Sequence, residues 1–198
     1  MYQTIRFIGD FIIAAVLLIV LAPLITLLAI AIKWDSKGTV FFLQERIGKN
    51  GKPFKIIKFR SMYQDSDPIA LARGNSDSRI TSVGRIIRKY HCDEIAQLFN
   101  IIKGEMGLIG SRPEISKYVD MADPRWQKAL SVAPGITGLA ALKCARMEYA
   151  MLQLSHNPDE TYRQIILPRK LRYDVIYASK QSLYLDLYIA KLTLKYII

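Results

Sequence analysis

The sequence is short of the two residue types that most often build disulfide frameworks and zinc sites. Its 198 residues include two cysteines and two histidines. Cys92 and Cys144 form no C-x-x-C pair, so we expect reduced thiols in a cytosol-facing domain rather than a disulfide. His91 and His156 lie far apart, and the H-E-x-x-H zinc motif is missing. A disulfide scaffold and a histidine-based metal site are therefore poorly supported.

The sequence also lacks the glycine and serine motifs of common nucleotide and ester chemistries. It contains neither the G-x-x-x-x-G-K-[ST] phosphate loop nor the G-x-G-x-x-G dinucleotide fingerprint. The G-x-S-x-G nucleophile elbow is missing as well. Hydrolysis of nucleoside triphosphates and serine-hydrolase chemistry are poorly supported, and a carboxylate nucleophile with a divalent metal and arginines remains.

Acidic residues are scarce relative to basic ones. Lys and Arg number 28 against 17 Asp and Glu, which gives a formal net charge of +11, while 51% of the residues are hydrophobic. Strong basicity suits nucleic acid or an anionic membrane surface. Together with this much apolar character, it favours the membrane surface. The lack of a basic stripe with stacking aromatics counts against a nucleic-acid binder.

One apolar run, residues 11–32, is long enough to cross a bilayer. Pro23 lies in its middle, where it removes a helix hydrogen bond. Positive charge flanks the run on both sides, and basic residues prefer the cytoplasmic side, so the segment could return to the side it entered. The residues leave a spanning helix and a re-entrant helix equally open. Arg6 and Asp10, directly before the apolar run, are expected to pair on one helix face.

Residues 40–60 predict a β-hairpin. A short apolar strand leads into a turn at Asn50-Gly51, a pair that tolerates positive φ, and then into a strand that mostly alternates apolar with basic residues. The alternation places Lys58 and Arg60 on one face, which fits a solvated strand face as well as a basic wall of a site. The polar residues 63–77 predict a loop beside that site.

The densest group of chemically useful side chains lies in residues 79–114. Two adjacent carboxylates, Asp93 and Glu94, stand at its centre. Basic residues surround the pair, namely Arg79, Arg85, Arg88, Lys89 and Arg112. Cations hold phosphate oxygens and keep carboxylates ionised, and a carboxylate can be a metal ligand or a nucleophile. Taken alone, however, an Asp before an apolar run is more often a helix N-cap, with the following Glu favouring the helix dipole.

Further helices and turns are expected along the chain. Thr81-Ser82 begin a helix that should carry Ile86 and Ile87 inside. The other predicted helices cover residues 95–103, 124–132, a segment starting at Pro158, and the tail 182–198. Turns rich in glycine and proline are predicted at 107–113 and 134–138. The tail fits either an interfacial helix with tyrosines at headgroup depth or a buried core helix.

Several motifs occur in one order along nearly the whole chain. They are Lys58-Phe59-Arg60-Ser61-Met62, Arg79-Ile80-Thr81 with Gly84, Asp93-Glu94 with Gln97-Leu98 and Asn100, Lys103-Gly104 with Met106, Gly110 with Arg112-Pro113-Glu114, and Pro134-Gly135-Ile136-Thr137-Gly138. On these motifs the chain resembles the small monotopic phosphoglycosyl transferases, a family of bacterial sugar transferases. The resemblance runs from Arg6 and Asp10 to residues 185–187.

The resemblance implies an enzyme that transfers a sugar 1-phosphate from a UDP-sugar to polyprenyl (undecaprenyl) phosphate and releases UMP. Asp93 would be the nucleophile of a ping-pong reaction, holding a covalent phospho-sugar, and Glu94 would assist it. Mg²⁺, with Asp93 as a ligand, would neutralise the diphosphate. The residues implied to bind substrate are Lys58, Arg60, Arg79, Arg88, Arg112, Pro113 and Arg146.

The resemblance also implies a fold and a location. We expect an α+β, mainly helical, monotopic membrane protein: a re-entrant helix bent at Pro23 in residues 1–36, then a membrane-associated catalytic domain in residues 37–198. That domain would carry the β-hairpin and interfacial amphipathic helices, on the cytoplasmic face of the bacterial inner membrane. The implied role is the first membrane step in the synthesis of a capsule, exopolysaccharide, O-antigen or glycoprotein glycan. Membrane lipid is an expected partner, nucleic acid is not, and a homodimer is left open.

The chain departs from the family pattern at several positions. Ser111 and Ala96 stand where common members have proline, Ala22 stands where many have serine, and Arg146 lies in a segment that matches only a subgroup. These changes leave the acid pair intact, but the residues that contact the sugar and the nucleotide do not follow from the family pattern at these positions. The alternative hypothesis is a non-catalytic protein that binds anionic lipids through its basic faces, indifferently to Asp93.

Overall fold

The computed structural model describes residues 2–64 and 77–197, which form a mainly helical protein with small sheets. The α-helices are α1 (Tyr2–Asp35), α2 (Ser82–Lys89), α3 (Leu98–Ile102), α4 (Pro124–Ala129), α5 (Leu139–Leu154), α6 (Pro158–Thr161), α7 (Leu167–Lys180) and α8 (Leu183–Ile197). The strands are β1 (Phe41–Ile47), β2 (Pro53–Phe59), β3 (Gly107–Ile109) and β4 (Gly135–Thr137). The 3-10 segments Cys92–Gln97 and Ser116–Tyr118 precede α3 and α4, and a π-turn, Tyr162–Ile166, joins α6 to α7.

The apolar helix α1 is long and apolar enough to cross a membrane by length and composition. The helix continues through Pro23. Ala14 is buried in a cluster with Ile101 of α3, and Ile32 is buried in a second cluster with Ile87 of α2. Both halves of α1 therefore pack against the folded protein, while many large apolar side chains on its other face are exposed.

Both ends of α1 are held by polar contacts. The predicted pair Arg6 and Asp10 is confirmed at 3.6 Å between Nε and Oδ2, and Arg6 also pairs with Asp186 of α8 at 3.4 Å. At the other end, Asp35 accepts a hydrogen bond of 2.9 Å from the backbone N–H of Val83. The two ends of the helix are thus fixed to the same folded body. The division of the chain at residue 36 stays a prediction.

The predicted hairpin is confirmed. Strands β1 and β2 pair antiparallel over their full lengths. The turn between them has Asn50 at φ 58° and Gly51 at φ 75°, the left-handed conformation that this residue pair tolerates.

Helix α2 begins as predicted, with the Thr81 hydroxyl accepting a 3.0 Å hydrogen bond from the backbone N–H of Gly84. Ile87 is 1% exposed, whereas Ile86 is 60% exposed, so the prediction that both lie inside is wrong. Successive residues of an α-helix point about 100° apart, which lets only one of them face this core. Gly84 allows close approach, since a Cβ there would lie 2.1 Å from the Ser61 carbonyl oxygen.

Residues 107–113 and 134–138 do not form turns throughout, because each contributes a short strand. Strands β3 and β4 pair in parallel. A Cβ at Gly135 would lie 2.1 Å from the backbone nitrogen of Gly110, and one at Gly138 would lie 1.9 Å from its oxygen. Glycines thus let two distant segments come close enough to pair, and local turn signals do not reveal that pairing.

The C-terminal helix α8 combines the two predicted alternatives. Ile189 is fully buried, while Tyr184 is 81% exposed and Leu187 is exposed as well. One face therefore belongs to the core and the other is apolar and open. Cys92 and Cys144 are free, as predicted. The predicted loop 63–77 falls mostly outside the described residues.

We predict that Gly84→Ala destabilises the protein, because the added methyl group meets the Ser61 backbone. Overpacking of this kind costs roughly 1–3 kcal/mol. Thermal or denaturant unfolding of the purified protein measures it. Gly9→Ala in α1, where a Cβ meets nothing within 4 Å, is the matched control. Equal stability of Gly84→Ala and wild type would contradict the close approach of α2 to Ser61.

Candidate active site

The acid pair lies in the 3-10 segment Cys92–Gln97. His91, just before it, adopts the left-handed conformation at φ 54° and occupies the N-cap position without a side-chain cap. The interpretation of Asp93 as a helix N-cap is therefore wrong. The tight turn at His91 separates the segment from α2 and leaves the Asp93 and Glu94 carboxylates available for contacts outside their own helix.

Glu94 binds two cations from distant parts of the chain. Lys58 Nζ lies 3.1 Å from Oε1, and the Arg112 guanidinium donates to both carboxylate oxygens, with 3.3 Å between Nη1 and Oε2. Burial alone would raise the pKa of Glu94, but Arg112 and Lys58 outweigh it and hold that pKa well below its usual range. Glu94 is therefore ionised at any working pH and is an unsuitable proton donor or acceptor.

Asp93 has a different environment. Within the described part of the chain, no group donates a hydrogen bond to its carboxylate, although Lys58, Arg88 and Arg112 act on it electrostatically. Burial raises the pKa of Asp93, Glu94 raises it further, and the three cations only partly offset both effects. The Asp93 carboxylate is therefore more basic than that of an ordinary aspartate, which favours a role as a nucleophile.

Lys58 reaches the pair from β2, which is tied to α3 by Asn100. The Asn100 Oδ1 accepts a 2.9 Å hydrogen bond from the backbone N–H of Ile57, and its Nδ2 donates at 2.8 Å to the Lys55 carbonyl. One fully buried amide thus fixes the strand beside the acid segment. Burial lowers the pKa of Lys58, while Glu94 opposes that effect.

Arg88 reaches the pair from the last turn of α2. Its Nε donates a 2.8 Å hydrogen bond to the Ser61 hydroxyl. Because Gly84 lets α2 lie against the backbone of Ser61, the glycine, the serine and the arginine form one arrangement. The motif positions Gly84 and Ser61 therefore support the placement of Arg88.

The other predicted substrate-binding residues make no contact with the acid pair among the contacts described here. Arg60 caps the end of α1, donating at 2.7 Å to the Ser36 carbonyl and also to that of Lys37, so it does not share a site face with Lys58. Its guanidinium is drawn there because the last carbonyls of a helix lack partners. Arg79 pairs with Asp77 at 2.7 Å. Pro113 is buried and Arg146 is exposed on α5.

The model of one family, bacterial sugar transferase, matches residues 1–198. The chain belongs to the bacterial sugar transferase family. Among relatives, the undecaprenyl-phosphate glucose phosphotransferase of Komagataeibacter xylinus is 39% identical over 190 residues, which cover 92% of this chain and 34% of that protein. The UDP-N-acetylgalactosamine-undecaprenyl-phosphate N-acetylgalactosaminephosphotransferase of Aeromonas hydrophila is 38% identical over 195 residues, or 96% of this chain and 43% of the relative.

A relative of more similar length is the exopolysaccharide production protein ExoY of Rhizobium meliloti strain 1021. It is 32% identical over 196 residues, which cover 91% of this chain and 79% of ExoY. The chain spans between a third and a half of the two relatives named first. It therefore corresponds to one part of those larger transferases.

The acid pair fits a magnesium site only in part. Among the described residues, no group of three or more His, Cys, Asp or Glu side chains is placed to hold a metal. Mg²⁺ does not need one, since it is usually bound through one or two carboxylates, several waters and the phosphates of a substrate. Asp93, whose carboxylate has no hydrogen-bond donor in residues 2–64 and 77–197, fits that role.

A second charged cluster was not foreseen from the sequence. Glu114, inside the Arg112-Pro113-Glu114 motif, is buried with Lys170 at 3.0 Å, Arg46 at 3.9 Å and the Tyr162 hydroxyl. Burial would raise the pKa of Glu114, but Lys170, Tyr162 and Arg46 keep it below its usual value. The only signal in the sequence was the charged residue next to Pro113, because its partners lie far away along the chain.

Asp174, next to this cluster, generates a prediction about pH. Burial raises the pKa of Asp174 from 3.8 to about 7, with Lys170 lowering it and Glu114 raising it. Because the folded protein favours the protonated form of Asp174, this carboxyl stabilises the fold fully at a pH below 3.8, its pKa in the unfolded chain. That stabilisation is lost as the pH rises through about 7, its pKa in the folded protein. The loss approaches about 4 kcal/mol, since each pKa unit is worth about 1.4 kcal/mol.

We therefore expect Asp174→Asn to stabilise the protein at high pH and to have little effect at low pH. The melting temperature, measured from about pH 5 to pH 8, should diverge from that of wild type by several degrees. Glu45→Gln, at an exposed carboxylate of β1, is the control. A difference between Asp174→Asn and wild type that does not change with pH would contradict the raised pKa.

Proposed function

We propose that this chain transfers a sugar 1-phosphate from a UDP-sugar to polyprenyl (undecaprenyl) phosphate and releases UMP. The observation that carries the proposal is Asp93, a half-buried carboxylate of raised pKa facing Lys58, Arg88 and Arg112 in a bacterial sugar transferase. The names of the relatives, which include undecaprenyl-phosphate sugar phosphotransferases and an exopolysaccharide production protein, support the substrate class and a role in surface polysaccharide synthesis.

In the first half-reaction, an Asp93 oxygen attacks the phosphorus nearest the sugar. A P–O bond forms to the aspartate, the bond to the bridging oxygen breaks, and its electron pair leaves with UMP. The positive groups around Asp93 stabilise the charge that spreads over the phosphoryl oxygens. A magnesium ion bound at Asp93 would neutralise the diphosphate and make UMP a better leaving group.

In the second half-reaction, an oxygen of the polyprenyl phosphate attacks the same phosphorus. The acyl phosphate bond breaks, the Asp93 carboxylate is restored, and the polyprenyl diphosphate sugar leaves. Neither half requires a general base, because phosphate and carboxylate are both ionised nucleophiles. Glu94 assists by holding Lys58 and Arg112 in place.

We expect Asp93→Asn to lower UMP release from a UDP-sugar by roughly a thousandfold or more, because an amide cannot form the intermediate. Membranes supplied with UDP-sugars and polyprenyl phosphate, with released UMP as the readout, measure it. Donor labelled in the sugar phosphate should also leave an adduct on Asp93 of wild type and none on the variant. Asp120→Asn, at an exposed carboxylate, is the control.

Undiminished UMP release from Asp93→Asn would remove the nucleophile assignment. A wild type that binds anionic vesicles but releases no UMP from any UDP-sugar would instead favour a non-catalytic, basic membrane-surface protein.

We also propose a monotopic location at the cytoplasmic face of the inner membrane, and the way in which α1 is held supports the monotopic arrangement. With 34 residues, α1 is about 51 Å long as a straight helix, and a hydrocarbon core is about 30 Å thick. A spanning helix would carry one end to the far side. Here Arg6 contacts Asp186 and Asp35 contacts Val83, so both ends stay with the folded body.

The remaining exposed apolar surface fits the same location. Ile86 on α2, Tyr90 directly after it, and Leu183, Tyr184 and Leu187 on α8 are all exposed. These are side chains that favour the membrane interface when they line a helix face. We propose that these faces rest on the lipid, with α1 inserted in one leaflet and a bend at Pro23.

The location predicts that both ends of α1 are reached from one side of the membrane. In a Cys92→Ala, Cys144→Ala background, single cysteines at the exposed positions Gln3 and Lys37 should react with a membrane-impermeant maleimide from the cytoplasmic side only. A cysteine at Leu27, 65% exposed in the apolar run, should be shielded. Labelling of the two ends from opposite sides would establish a spanning helix instead.

A further inference from the structure

A buried polar stripe runs along the helix that begins at α6 and continues through the π-turn into α7. Tyr162, Lys170 and Asp174 lie on it, and none is more than 7% exposed. Their separations are multiples of four residues, the spacing of one helix face. The proposed reaction uses none of these three side chains, so their burial requires a different explanation.

Two groups of the stripe bind one carboxylate. Lys170 Nζ donates to Glu114 Oε1 at 3.0 Å, and the Tyr162 hydroxyl donates to the same oxygen. Lys170 also donates to the Tyr162 oxygen at 2.8 Å. In a regular α-helix, residues eight apart are rotated by about 80°. The π-turn Tyr162–Ile166 is wider, and it reduces that angle so that both side chains meet Glu114.

Glu114 ends a short loop whose backbone is held on both sides of Arg112. Before the arginine, the Gly110 N–H donates to β4 at 2.8 Å, and the Ser111 carbonyl accepts from β4 at 3.0 Å. After it, the Pro113 carbonyl accepts from Arg46 at 3.1 Å, and the Glu114 carbonyl accepts from the end of β1 at 2.8 Å. Arg112 therefore projects from a fixed loop towards Glu94.

Stability alone does not account for the buried ions. Removing a carboxylate and an ammonium from water costs several kcal/mol per ion, and apolar residues of similar volume are often equally stable in their place. A buried ion pair does, however, fix geometry, because the carboxylate and the ammonium tolerate few alternative arrangements. Arg112 lies two residues before Glu114, so the ion pair between Glu114 and Lys170 also fixes the position of Arg112.

We propose that Glu114, Lys170 and Tyr162 are positioning residues that hold the loop 110–114 so that the Arg112 guanidinium meets Glu94 and the diphosphate of the donor. This inference rests on the proposed function for its catalytic consequence. The holding of the loop itself can be measured independently of catalysis.

The test variant is Glu114→Gln combined with Lys170→Met, which removes both charges together. Either change alone leaves the remaining buried ion with only its longer ion pair, to Arg46 at 3.9 Å for Glu114 or to Glu148 at 3.5 Å for Lys170, and risks unfolding. We expect a melting temperature close to that of wild type, faster backbone amide exchange in peptides covering residues 110–114, and UMP release lower by roughly 10- to 100-fold. Tyr162→Phe, which removes one hydroxyl, should act in the same direction with a smaller effect and serves if the double variant does not fold.

A double-mutant cycle with Arg112→Ala separates positioning from a general structural role. If Glu114 and Lys170 act through Arg112, their replacement should lower UMP release little further once Arg112 is absent. The matched control is the exposed pair on the same helix, Asp159→Asn with Arg163→Met, which should change neither loop exchange nor UMP release.

Unchanged exchange in residues 110–114 would overturn the proposal, whatever the activity. Effects on UMP release that simply add to those of Arg112→Ala would also overturn it. If wild type releases no UMP at all, the proposed transferase function fails, while faster loop exchange in the variant would still establish the holding of the loop by Lys170 and Glu114.

Discussion

The candidate active site depends on one partly buried carboxylate that is shared by two cations. Glu94 comes from the 3-10 segment, Lys58 from the hairpin and Arg112 from the loop after β3. If either cation moved away, the partly buried charge of Glu94 would lose one of its two partners, which would destabilise the folded protein. Three segments that are distant in sequence are therefore held in one arrangement by the need to neutralise a single charge.

This sharing gives two neighbouring carboxylates different properties. Glu94 makes the direct contacts with Lys58 and Arg112, and its pKa falls well below the usual range. Asp93 receives only longer-range attraction from the same cations, so burial dominates and its pKa rises. Adjacent groups whose pKa values are pushed apart can take separate roles. Here Glu94 organises the cations, while Asp93 keeps the basicity that the proposed nucleophile requires.

The apolar helix α1 and the elements of the candidate site share one hydrophobic cluster. The cluster that buries Ile32 of α1 also contains Ile57, Ile87 and Ala96. These residues lie beside Lys58 of β2, Arg88 of α2 and the acid segment, so the elements that carry the polar side chains rest on α1. In the proposed location, α1 in lipid brings the carboxylate pair close to the membrane surface, where the proposed donor, a water-soluble nucleotide sugar, and the proposed acceptor, a lipid phosphate, can both arrive.

The sequence by itself determined the local elements and the chemical residues of the site. The Asn50-Gly51 turn, the Thr81 cap and the Arg6–Asp10 pair are decided within a few residues, and the ordered motifs contained Lys58, Asp93 and Arg112. Only the tertiary structure decided that Arg60 caps α1, that β3 pairs with β4, and that Glu114 meets Lys170. Those contacts join segments far apart in the chain, and a buried charge or an unpaired carbonyl finds its partner only when packing brings the segments together.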